Sequence, residues 1–77
     1  MDRQQIESTV LTVIGTVLKI QAGPDTSRSG LAAWDSLKHV EIMFALEDEF
    51  DIVFSEEDLS GLDSVKAIIQ RIAADEA

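Results

Sequence analysis

The chain has 77 residues, fifteen acidic and six basic, for a net charge of −9. A chain this short makes one domain, residues 1–77, and hides only ~60% of its unfolded surface, leaving little room for an enclosed active site beside a core. The acidity excludes nucleic acid and anionic membranes as partners and points to basic protein faces, and the absence of Cys excludes disulfides, thiolate catalysis and Cys-based zinc sites.

The opening Met1-Asp2-Arg3-Gln4-Gln5 leads into no signal-type apolar core, and no apolar run approaches membrane-spanning length. A cytoplasmic monomer is expected. Asp2 followed by Gln5 predicts a capping box, and Ile6, Val10, Val13, Ile14, Val17 and Leu18 form the apolar stripe of a first helix. Gly23-Pro24 lies beyond its end. A stretch rich in Ser, Gly and Asp then runs to about Asp35, long for a small domain. Its apolar members Leu31, Ala32, Ala33 and Trp34 are expected to pin its last part to the core.

A second helix should start at Asp35 or Ser36 and run to about Phe50. Ser55 with Asp58 predicts a capping box for a short third helix, which Gly61 should stop. Asp63 or Ser64 should cap the last helix, with Val65, Ile68, Ile69 and Ile72 as its stripe. No segment sustains the alternation of a strand. The expected fold is all-α: a small four-helix bundle of three longer helices and one short one.

Projected at about 100° per residue, the second helix has two apolar faces. Ile42, Met43, Leu46 and Phe50 share one side with His39. Leu37, Val40 and Phe44 gather nearly opposite, among Glu41, Glu47 and Asp48. The second group either packs against the long loop or is an exposed, acid-rimmed strip of the kind that binds protein. Read by spacing alone, Phe44, Phe50 and Phe54 are first of all packing residues, as are Met43 and Trp34.

The run Trp34-Asp35-Ser36-Leu37-Lys38-His39-Val40-Glu41, followed by Ala45-Leu46-Glu47-Asp48-Glu49-Phe50, Ser55-Glu56-Glu57-Asp58-Leu59 and Ser64-Val65, resembles the acyl carrier proteins. In that family Asp-Ser-Leu opens the second helix and its serine is the phosphopantetheine attachment site. The resemblance implies a carrier, not an enzyme. A covalent 4′-phosphopantetheine on Ser36, attached by a phosphopantetheinyl transferase, would hold acyl or aminoacyl groups as thioesters. It also implies that acyl-loading, condensing or transferring enzymes with basic docking faces engage Asp35, Leu37, Val40, Glu41, Phe44, Glu47 and Asp48; Lys38, beside Glu41, adds a positive charge to that partner-binding face. An unmodified acidic helical adaptor is the alternative without the chemistry. The N-terminus of a helix suits an attached phosphate, and the arm brings its own thiol.

Two other constellations carry less. His39 follows Ser36 by one helical turn, as a Ser–His hydrolase would need, but nothing supplies an oxyanion hole and His39 projects to the core side. It reads as a packing or hydrogen-bonding histidine, with Trp34 as its partner. Starting from Asp48, an EF-hand loop would need ligands where Phe50 and Ile52 stand, so no dedicated metal site is expected. Trp34 is close enough in sequence to contact the arm. Three features depart from the housekeeping fatty-acid carriers: Lys38 where an acid is typical, Trp34 before the motif, and Leu59 with Gly61 in the third helix. They resemble free-standing carriers of dedicated polyketide, aminoacyl or other specialised pathways, with fatty-acid synthesis as the alternative.

Overall fold

In the computed structural model, which describes residues 2–76, four helices follow one another: α1 (Arg3–Leu18), α2 (Ser36–Phe50), α3 (Glu56–Gly61) and α4 (Val65–Glu76). Asp2 caps α1 by accepting from the Gln5 N–H at 2.8 Å. Ile6, Val10, Ile14 and Leu18 are buried, while Val13 and Val17 flank them half-buried. The helix ends on Lys19 in the left-handed region, φ 58°, and the Ile20 N–H turns back to the Gly15 carbonyl at 3.1 Å. This reversal explains Gly15. A Cβ there would stand 2.9 Å from the Ile20 carbonyl oxygen.

α1 packs on both α2 and α4. The core is filled by the α1 stripe, by Ile42, Met43, Leu46 and Phe50 of α2, and by Val65, Ile68, Ile69 and Ile72 of α4, closed by Trp34, Phe54 and Leu62. α2 also stops on a left-handed non-glycine residue, Asp51 at φ 55°, with the Ile52 N–H on the Glu47 carbonyl. α3 carries the expected reciprocal capping box between Ser55 and Asp58 and ends at Gly61. Ser64 caps α4, its hydroxyl accepting from the Ala67 N–H at 3.1 Å.

The long segment between α1 and α2 is tied down by backbone. Ser27 and Ser64 form an isolated antiparallel bridge, the Arg28 N–H donates to the Asp63 carbonyl at 2.8 Å, and the Val65 N–H donates to the Thr26 carbonyl at 3.0 Å. The loop therefore hangs from the start of α4. Of its apolar members, Trp34 is buried and Leu31 half-buried, but Ala32 and Ala33 are exposed. Their methyl groups bury too little area to hold a segment against the core; the backbone bridge and Trp34 hold it instead.

Candidate functional site

The N-terminus of α2 is shaped by Asp35, an extended cap residue whose carboxylate accepts from the Lys38 N–H at 2.9 Å. The next residue, Ser36, is exposed. The N–H groups of Ser36 and Leu37 have no acceptor within the helix, and the helix dipole adds partial positive charge there. The Ser36 hydroxyl accepts from the Arg28 guanidinium, Nη2 to Oγ 2.9 Å. An accessible alcohol beside free N–H groups and an arginine is a donor set that suits a phosphate ester.

Ser36 is distinct among the serines. The hydroxyls of Ser55 and Ser64 cap α3 and α4, those of Ser27 and Ser29 bond each other, that of Ser60 donates to the Glu57 carbonyl, and Ser8 lies within α1.

His39 is buried and both its ring nitrogens are engaged. Nδ1 accepts from Trp34 Nε1 at 2.9 Å, so the ring proton is on Nε2, which donates to the Leu59 carbonyl at 2.6 Å. It has no nitrogen left to serve Ser36 as a base. Trp34, 2% exposed and bonded edge to edge with the His39 ring, belongs to the core. The expected contact between Trp34 and the arm is corrected accordingly: the indole has no open face. Among the described residues no group of three or more His, Cys, Asp or Glu is placed to hold a metal ion.

Away from the core, α2 presents Leu37, Val40 and Phe44 at 69%, 46% and 60% exposure. Phe44 is therefore not a packing residue, unlike Phe50 and Phe54. The loop does not cover this strip. Its rim is uneven. Asp48 is exposed and Glu41 pairs with Lys38 at 3.5 Å, but Glu47 is half-buried and its Oε2 accepts from the Phe54 N–H at 2.7 Å. Sequence reasoning missed two residues: Arg28, eight residues before Ser36 in a loop without periodicity, which meets the Ser36 hydroxyl, and Val53, an exposed apolar residue just past the end of α2.

The family described as a phosphopantetheine attachment site matches residues 8–72. The chain belongs to that family. No curated protein matches it. Members carry 4′-phosphopantetheine covalently on a serine and interact with phosphopantetheinyl transferases and acyl-handling enzymes. The four-helix arrangement agrees with an acyl carrier fold. A domain of this kind is a carrier rather than a catalyst, in keeping with the engaged nitrogens of His39. No helix of the described chain is long and apolar enough to cross a membrane.

Proposed function

We propose that this carrier bears its 4′-phosphopantetheine on Ser36 and serves a dedicated polyketide, aminoacyl or other specialised pathway in the cytoplasm. The observation that carries the assignment is the placement of Ser36: an exposed hydroxyl within Asp-Ser-Leu, at the free N–H groups of α2 and beside the apolar strip. In the loading reaction the Ser36 Oγ displaces the adenosine bisphosphate half of coenzyme A, forming a phosphodiester, while a base of the transferase takes the hydroxyl proton. Once attached, the arm supplies a thiol that holds acyl groups as thioesters. Ser36 then only anchors; the helix terminus favours the phosphate charge.

Leu37, Val40 and Phe44 form the contact surface for partner enzymes, with Asp35, Glu41, Glu47 and Asp48 offering charge to basic faces. Trp34 acts inside the fold, so its presence says little about partner choice. Lys38, beside the strip and paired with Glu41, is the main feature that favours a dedicated pathway.

Intact mass after incubation with coenzyme A and a broad-specificity transferase tests the assignment. One phosphopantetheine should be added to the wild type and none to Ser36→Ala. Modification at Ser27, Ser29 or Ser64 would overturn it. An unmodified wild type would favour the adaptor reading, which the exposed strip alone also supports.

A further inference from the structure

We infer that Arg28 is a built-in clamp for the arm's phosphate, an inference that rests on the assignment of Ser36 as the attachment residue. Arg28 is one of six basic residues in a chain with fifteen acids. Lys38, Lys66 and Arg71 each pair with a carboxylate within 4.0 Å. Arg28 makes no ion pair among the described side chains; its guanidinium donates instead to the neutral Ser36 hydroxyl at 2.9 Å. In so acidic a chain, a half-buried arginine spent on an alcohol has charge left over for an anion.

The backbone that carries this guanidinium is also held in place. The Arg28 N–H donates to the Asp63 carbonyl at 2.8 Å and its own carbonyl accepts from the Leu31 N–H at 3.2 Å, with the Ser27–Ser64 bridge alongside. These bonds fasten Arg28 to the start of α4, so its position over Ser36 does not depend on a free loop. The competing charges near Ser36 are already engaged: Asp35 caps α2 and Lys38 is paired with Glu41.

Esterification changes what Arg28 meets. The hydroxyl oxygen becomes a phosphodiester bridge, a weak acceptor, and two non-bridging oxygens that share one negative charge lie two bonds away from it. A planar guanidinium matches such a pair of oxygens with parallel N–H donors, which a lysine ammonium cannot reproduce. A bond from the guanidinium to a neutral acceptor in the unmodified protein is thereby replaced in the modified protein by one between two charged groups. No bond to Arg28 is made or broken covalently.

The test compares wild type, Arg28→Lys and Arg28→Gln, each unmodified and modified on Ser36, with loading verified by intact mass. The readouts are the ³¹P chemical shift of the phosphodiester and the Tm difference between modified and unmodified protein at low and high NaCl. Modification should raise the Tm of wild type relative to Arg28→Gln by about 2–6 °C, an increment that shrinks in high salt. Arg28→Gln should move the ³¹P signal toward that of free phosphopantetheine diesters, with Arg28→Lys between the two. Modified proteins with the same ³¹P shift and the same Tm increment would overturn the clamp while leaving the carrier assignment intact. A wild type that gains no phosphopantetheine mass would defeat both.

Discussion

Trp34 Nε1 donates to His39 Nδ1 at 2.9 Å, and the opposite nitrogen of the same imidazole donates to the Leu59 carbonyl. One buried ring thus links the long loop, α2 and α3 just behind the N-terminus that carries Ser36. His39→Ala should leave both the indole N–H and the Leu59 carbonyl without their partner, costing about 1–3 kcal/mol for the orphaned groups besides the cavity. Trp34→Phe should also destabilise by at least about 1 kcal/mol. Urea unfolding of both single variants and the double variant should show coupling of about 0.5 kcal/mol or more; strictly additive losses would mean that the bond contributes nothing of its own.

The two faces of α2 predict opposite outcomes for similar truncations. Phe44→Ala should change stability by no more than about 0.5 kcal/mol but weaken engagement of an acyl-handling partner. Leu46→Ala, on the buried face, should cost about 2–5 kcal/mol. Equal losses of stability in denaturant titrations would contradict the two-face arrangement.

The acids around the strip separate in the same way. Glu41→Lys and Asp48→Lys should slow transfer from a cognate enzyme at low salt while leaving stability within about 0.5 kcal/mol, because exposed charges set encounter rates more than folding. Glu47→Lys removes the acceptor of the Phe54 N–H and should cost a further 1–3 kcal/mol or so. Glu47→Gln keeps an acceptor oxygen, and so should recover much of that stability without recovering the charge. Transfer kinetics beside thermal melts resolve the two effects.

Lys38→Glu tests the pathway reading. It replaces a half-buried cation paired with Glu41 by a like charge, at little cost to a helix start that favours acids. Turnover of the modified variant with a generic fatty-acid elongation enzyme should improve, and turnover with the dedicated loading enzyme should fall, both effects fading with salt. Identical rates for the two proteins with both enzymes would remove Lys38 from partner choice.

Acid should find a weak point at Asp58. The Ser55 N–H, helped by Arg71 and by the Ser55 hydroxyl, holds its carboxyl below the usual carboxylate range against a smaller opposing effect of desolvation. A pKa lowered on folding means that the ionised form is the one stabilised. That contribution is complete above the unfolded-state pKa and disappears as pH falls through the folded value. Asp58→Asn should therefore lose about 1 kcal/mol relative to wild type at pH 7, and the gap should narrow below about pH 5. A gap independent of pH in urea titrations would show that the charge plays no part.

The helices were legible because their information is local. Apolar spacing marks the stripes of α1 and α4, the capping residues Asp2, Asp35, Ser55 and Ser64 mark where helices begin, and Asp-Ser-Leu marks Ser36. Even the second face of α2 follows from the 3.6-residue period. Spacing could not say whether Leu37, Val40 and Phe44 would be covered, because that depends on where a loop without periodicity lies. Tertiary structure decided it through backbone bonds from Thr26 and Arg28 to the residues around Ser64, which leave no trace in side-chain pattern. The same docking brings Arg28 to Ser36 and, with Trp34 inserted, seats His39 between two partners. By spacing Glu47 is one acid of a rim, yet the backbone turn after α2 places the Phe54 N–H against it. Each of these contacts joins segments whose separation in space is set by the packing of the whole core, so no rule of local spacing encodes them.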